Sequence, residues 1–256
     1  MIPYIIIFVF LFILIAHCNK EEHIKVGIID SGISDYQKDI VYKSKNFVED
    51  ESIFDTYNHG TIITNIINET SSKNTRLYMA KSINKNGKSQ QSDFINAFNW
   101  LVKNDVDIIN ISQGMKYNSK EISQLIRLAE EKDIIVIASS GNNYLNDTDY
   151  PAKYPEVISI GTIDKNGNIH RYSGEGKIDY VALGVNIKVK DNSGNEKIFT
   201  GNSYATAYAT GTIIDIYNIY KSNMENKIII ESHSYDPYHQ KNLFGKGVIT
   251  NEKLHN

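Results

Sequence analysis

An α/β fold with a mostly parallel sheet between helices is predicted by two interleaved patterns. Short runs rich in β-branched residues recur at 25–30, 77–83, 106–112, 134–139 and 157–163. Between them, 60–67, 92–103 and 120–132 carry apolar residues at helical spacing. Strands alternating with helices give a parallel sheet covered on both faces. No repeat, low-complexity linker or Pro/Gly-rich boundary interrupts residues 24–256, so one domain is expected over 23–256.

In order along the chain, the run at 25–30 ends on Asp30, in Val26-Gly27-Ile28-Ile29-Asp30-Ser31-Gly32. The helical pattern at 60–67 is opened by His59, in Tyr57-Asn58-His59-Gly60-Thr61. Here Gly60 permits close backbone approach, and Thr61 can hydrogen-bond nearby. The strand at 106–112 ends on Ser112-Gln113-Gly114, and the one at 134–139 leads into Ser139-Ser140-Gly141-Asn142. In open parallel sheets, function collects at the carboxyl ends of the strands, and these polar groups all point to one rim. Further on, Thr200-Gly201-Asn202-Ser203-Tyr204-Ala205 opens a run of small residues with Ser203 at a helix start.

Composition excludes little else. A net charge of −3, spread along the chain, leaves neither a nucleic-acid footprint nor an acidic tail. The exception is residues 2–16, uncharged and nearly all apolar, followed by Cys18, Lys20, Glu21 and Glu22. This run is short for a spanning helix but fits the core of a signal peptide. Residues 1–22 are therefore expected to be a signal peptide or an N-terminal anchor. Cys18 follows Ala16 and His17 much as in a lipoprotein processing site, although His17 departs from that pattern. A lipidated cysteine and an ordinary thiol beside an anchor both stay open. With a single cysteine there is no intrachain disulfide.

A serine hydroxyl is a weak nucleophile at neutral pH and needs a base, itself oriented by a carboxylate. Of the seven histidines, His59 alone opens a helical pattern. Taken singly, Asp30 could be a turn former, His59 a cap and Asn142 a left-handed turn residue. Together Asp-Ser-Gly, His-Gly-Thr, Ser-Gly-Asn and Gly-x-Ser-x-Ala occur in one order. In that order and context the chain resembles the subtilisin-like serine peptidases over residues 24–250. The resemblance extends through Tyr150-Pro151-Ala152, Ala182-Leu183-Gly184 and Phe244-Gly245-Lys246-Gly247.

That resemblance implies the three-layer subtilisin-like fold and a serine endopeptidase. It makes Ser203 the nucleophile, His59 the base and then acid, Asp30 the orienting carboxylate, and Asn142 an oxyanion donor. It also implies that Ser112, Gln113, Gly114, Ser139, Ser140 and Gly141 line the groove for an extended peptide. Asp149 falls where the family has a small residue at the base of the P1 pocket, so a basic P1 preference is expected. The alternative there is a solvated loop acid, with Asp147 an equal candidate.

Departures from the family pattern carry expectations too. The segment 59–77 is too short for the usual calcium loop, so no structural calcium and no cofactor is expected. Asn202 replaces a threonine, Ala207 a proline and Asn65 a glycine, which puts the serine turn and the packing of the histidine helix in question. Asp30 follows the leader too closely for a folding propeptide. Compact relatives without one include peptidases that remove leaders from lantibiotic precursors, which suggests a processing role. The expected partners are a peptide or protein substrate and no nucleic acid. The chain is expected to be an exported or membrane-tethered monomer that touches the membrane through its N-terminal segment. The rival reading is a catalytically weak relative that only binds peptides. A metal hydrolase is disfavoured because no histidine pair has ligand spacing.

Overall fold

The computed structural model describes residues 23–71, 75–220, 234–235 and 241–249. The expectations for residues 1–22, Cys18 included, lie outside these. β1 (Ile24–Asp30), β2 (Val41–Asn46), β3 (Thr75–Lys81), β4 (Ile108–Ile111), β5 (Ile135–Ser139), β6 (Ile158–Ile163) and β7 (Tyr180–Leu183) belong to the main sheet. β8 (Ile187–Lys190) and β9 (Glu196–Phe199) form a separate antiparallel hairpin. The helices are α1 (His59–Thr70), α2 (Gln91–Lys103), α3 (Lys120–Glu131), α4 (Asn202–Tyr220) and α5 (Lys241–Phe244), and the short strands β10 (Ser234–Tyr235) and β11 (Val248–Ile249) complete the sheet.

Among the described residues the main sheet has nine strands in the order β10-β11-β7-β6-β5-β4-β1-β3-β2. Every neighbouring pair is parallel except β10 with β11. Successive residues of a strand face opposite sides, and here both sides are covered, so the strands are apolar throughout rather than alternating. On one face Val26, Ile28, Ile108, Ile137 and Ile160 pack with Ile63 and Ile67 of α1 and Ala205, Ala209 and Ile213 of α4. On the other, Ile29, Ile109, Ile111, Val136 and Ala138 meet Phe94, Phe98 and Leu101 of α2 and Ile122 and Ile126 of α3. These are the three layers expected.

The chain order positions the site. From β1 the chain proceeds to β2 and β3 on one side of the sheet, then crosses back to β4 on the other. The winding reverses between β1 and β4, and at such a point the loops leaving adjacent strands diverge and open a crevice. Asp30 ends β1 and Ser112 follows β4, so both stand at that crevice.

Candidate active site

Asp30 is fully buried at the end of β1, and its carboxylate faces His59. His59 Nδ1 lies 2.8 Å from Asp30 Oδ1 and 3.0 Å from Oδ2. The same Oδ1 accepts the Ser31 N–H at 2.7 Å, which fixes the carboxylate's orientation. α1 comes this close because Gly60 has no side chain: a Cβ there would stand 2.5 Å from the Gly32 carbonyl oxygen. The Gly60 N–H instead donates to Ser31 Oγ at 2.8 Å.

A second buried carboxylate, Asp55, holds the start of α1. Its Oδ1 accepts the Asn58 N–H and the Ser31 hydroxyl, both at 2.8 Å, and its Oδ2 accepts the Thr61 N–H at 2.7 Å. A carboxylate at a helix N-terminus satisfies amides that have no intrahelical partner and opposes the positive end of the macrodipole. Asn58, immediately before His59, takes a left-handed φ of 73° that turns the chain into the helix. Asp55→Ala leaves the Asn58 and Thr61 amides unpaired, with the Ser31 hydroxyl falling back on Asp30 Oδ1 at 3.2 Å, and is expected to cost about 3 kcal/mol of stability, read from the urea midpoint at constant m.

His59 has 18% of its side chain exposed. Burial works to lower its pKa. The charge and hydrogen bond of Asp30, with the charge of Asp55, outweigh that, and the imidazolium pKa lies above the usual histidine value. The rings of Tyr57 and Tyr204 flank the imidazole at centroid distances of 6.3 and 6.0 Å. Burial first, then the nearby Asp30 charge, pushes the Tyr204 hydroxyl up to about 12, so it stays protonated through neutral and mildly alkaline pH.

Ser203 stands in the first turn of α4 and is 9% exposed. Its hydroxyl donates to the Ser112 carbonyl oxygen at 2.8 Å, and Ser112 Oγ returns a bond to the Ser203 carbonyl oxygen at 3.2 Å. This reciprocal pair pins the start of α4 to the end of β4. Deeper in the helix Thr210 Oγ1 donates to Asn110 Oδ1 at 2.9 Å, and Asn110 Nδ2 donates to Ser112 Oγ at 2.9 Å.

Asn202, which departs from the family pattern, strengthens the turn rather than loosening it. Its Nδ2 donates to Ser140 Oγ at 2.5 Å and to the Gly141 carbonyl oxygen at 3.1 Å, while its Oδ1 accepts from Thr162 Oγ1. Its backbone N–H donates to Asn142 Oδ1 at 3.1 Å, leaving the Asn142 amide NH2 for another partner. Asn65 is likewise accommodated: it accepts from Gln37 Nε2 at 2.8 Å and donates to Tyr36 Oη at 2.9 Å and the Lys190 carbonyl oxygen at 3.0 Å. Ala207 is simply buried in α4.

His59, Asn142 and Ser203 share one cleft of about 710 Å³. Ser112, Gln113, Gly114, Ser139, Gly141 and Asp149 are among the residues that line it. Asp30 lies behind His59 rather than on the surface of the cleft. Ser140 is the exception among the expected groove residues. It is fully buried, with its hydroxyl turned inward to Asn202 Nδ2 and the Gly174 N–H at 3.1 Å. Neighbouring residues in extended chain point to opposite sides, so Ser139 and Gly141 reach the cleft while Ser140 supports it from beneath.

Comparison with known proteins shows the family. The family model described as the subtilase family matches residues 21–247. The chain belongs to the subtilase family of serine peptidases. It is similar to Subtilisin DY of Bacillus licheniformis, 30% identical over 256 residues that cover 93% of this chain and 92% of that protein. Subtilisin BL of Lederbergia lenta is 26% identical over 242 residues, 90% of this chain and 89% of its own. Of other relatives this subtilase spans about half the length: Subtilisin E of Bacillus subtilis (strain 168) is 29% identical over 206 residues, 74% of this chain and 54% of that one. Among the described residues no helix is long and apolar enough to cross a membrane, and no three His, Cys, Asp or Glu side chains stand together as metal ligands.

Sequence reasoning missed Asp55, Tyr204 and Lys116. Asp55 had a usable signal, since an acid four residues before His59 at a helix start suits a capping carboxylate. Lys116 had none, because its partners are brought to it only by the long-range pairing of Met115 with Tyr150.

Proposed function

We propose that this subtilase is a serine endopeptidase that cleaves peptide bonds through an acyl-enzyme on Ser203. The observation that carries the reading is the bond from His59 Nδ1 to both oxygens of the buried Asp30, beside Ser203 in one cleft. With Nδ1 engaged, the imidazole proton stays there and Nε2 keeps its lone pair for the serine proton. In the free enzyme the hydroxyl rests on the Ser112 carbonyl oxygen, a partner it must leave to give its proton to His59. Catalytic hydrogen bonds that are absent without substrate commonly form in its presence.

Ser203 Oγ then attacks the carbonyl carbon as His59 takes its proton. The tetrahedral oxyanion is met by the Asn142 amide NH2 and by the Ser203 N–H, which lies in the first turn of α4 where amides lack intrahelical partners. His59 returns the proton to the leaving amine, and a water activated by His59 releases the acyl group. Asn142→Ala is expected to lower kcat about 100- to 1000-fold with KM little changed, measured on peptide anilides, a magnitude known from subtilisin itself. An unchanged kcat would remove Asn142 from the mechanism.

The position of Asp149 in the wall of the cleft supports recognition of a lysine or arginine at P1, and a selective P1 site suits limited processing of a precursor better than general degradation. The apolar run at residues 2–16 supports export, with the enzyme acting as a monomer outside the cytoplasmic membrane, released or held there by its N-terminal segment. The side chains named supply the whole reaction, and no cofactor is given a part in it.

A further inference from the structure

Asp149 is 8% exposed, and its carboxylate lies between the two glycines that wall the cleft: a Cβ on Gly114 or Gly141 would stand 2.7 or 2.4 Å from its Oδ2. Its position is held by the Asp149 N–H, which donates to the Ser140 carbonyl oxygen at 3.0 Å. A buried carboxylate requires a counter-charge. That charge is supplied by Lys116, which the antiparallel pairing of Met115 with Tyr150 sets opposite Asp149; its Nζ lies 3.0 Å from Asp149 Oδ1 and also donates to Asn143 Oδ1.

Asn143 is buried and fixed, its Nδ2 donating to the carbonyl oxygens of Ser140 and Asp147, each at 3.0 Å. The ammonium thus sits in a built cradle of one carboxylate and one amide oxygen. The backbone on both sides is pinned as well: Met115 and Tyr150 exchange hydrogen bonds of 2.7 and 2.9 Å. The lysine stem itself is not packed, and 65% of the Lys116 side chain is exposed. The other nearby ammonium, that of Lys153, is paired with Asp147.

We propose that Lys116 is a specificity-determining residue, a tethered cation that fills the Asp149 site in the free enzyme and that a P1 lysine or arginine displaces. The proposal rests on the reading of Asp149 as the P1 carboxylate. An incoming lysine offers the same ammonium to the same cradle, and an incoming arginine offers a planar fork that can donate to the carboxylate and to Asn143 together. The displaced Lys116 swings into water at little cost, since its stem is already solvated. A P1 leucine offers no charge, so for leucine the pair stays closed and the pocket is neutral but shortened.

Affinity for a basic P1 residue is therefore reduced by the fraction of enzyme in which Lys116 is off the carboxylate. An ion pair with one flexible, exposed partner keeps that fraction at roughly one in three to one in ten. In Lys116→Met, kcat/KM for P1 arginine and P1 lysine is expected to rise about three- to tenfold by the same factor. P1 leucine, now facing a bare carboxylate, is expected to fall. The experiment measures kcat/KM on three peptide anilides that differ only at P1 (Arg, Lys, Leu) for the wild-type full chain, K116M, K116R and D149N.

A raised Arg-to-Leu ratio in K116M, with K116R at or below wild type and D149N lowering the ratio, is the expected result. A ratio that is unmoved or lower in K116M, while D149N still lowers it, overturns the lysine proposal and leaves the P1 reading standing. A ratio unmoved in D149N overturns the P1 reading and the proposal with it.

Discussion

Ser203→Ala is expected to lower kcat/KM on peptide substrates about 10⁶-fold, a loss measured in subtilisin for its own serine rather than calculated from this site, and to abolish labelling by a fluorophosphonate. His59→Ala is expected to match it, and the double variant to be no worse than either alone. The reason is the geometry of transfer. Without Ser203 Oγ, no nucleophile stands against the oxyanion donors; without His59, the serine proton has no acceptor but the Ser112 carbonyl oxygen, which cannot carry it away. Each residue acts only through the other, so removing the second costs little more. What survives is binding and the oxyanion site. Ser203→Ala removes one hydroxyl from a turn still held by Asn202 and Ser112, so the fold is retained. If the folded wild-type protein reacts with no fluorophosphonate, the endopeptidase reading falls and the peptide-binding one takes its place.

The parts of the fold legible in the sequence are those whose burial is uniform. The run at 134–139 became β5, buried at every position, and 120–132 became α3, with Ile122, Ile126 and Ala129 on one face. Other strands left no such mark. β2 is an edge strand with four of its six residues exposed, β7 is only four residues long, β8 alternates apolar residues with lysines, and β9 reads Glu-Lys-Ile-Phe and is mostly exposed. α4 is legible by motif rather than periodicity, because a helix of small, hydroxylated, aromatic and aliphatic residues buried on nearly all its described sides has no polar face to reveal it.

The site divides in the same way. Asp30, His59, Asn142 and Ser203 are legible because each is bound to a local backbone device, a strand end or a helix start, that leaves its own short motif. Asn202 was visible only as a departure, since its effect depends on Ser140 and Thr162, which other strands bring to it. Lys116 and Asp149 meet because Met115 pairs with Tyr150, a long-range contact between two loops that no local pattern encodes.

Asp30→Asn is expected to lower kcat about 10⁴-fold at neutral pH, the size of the same change in a serine-protease triad, with KM changed far less. The direction follows from the neighbours. Ser31 presents a backbone N–H to Oδ1 at 2.7 Å, and that amide can only donate, so the introduced asparagine keeps its oxygen there. Its NH2 then takes the place of Oδ2, 3.0 Å from His59 Nδ1. The retained oxygen stays 2.8 Å from Nδ1, but the NH2 hydrogens oppose a proton there and can donate to a bare Nδ1, which shifts the imidazole proton toward Nε2, where it blocks acceptance of the serine proton.

The charge change has its own signature. Because Asp30 and Asp55 hold the His59 pKa above its usual 6.5, the acid limb of the wild-type kcat/KM profile lies above that value. Loss of one of those charges moves the limb to lower pH in Asp30→Asn. The linked effect on stability has the opposite sense: a pKa raised on folding stabilises fully below the unfolded value and is lost as pH rises through the folded one. In a Ser203→Ala background, which removes self-digestion, urea midpoints are therefore expected to fall as pH rises above the ordinary histidine value of 6.5 with Asp30 present, and to fall less once Asp30→Asn is added. Equal slopes would show that the Asp30–His59 pair does not set the titration of this site.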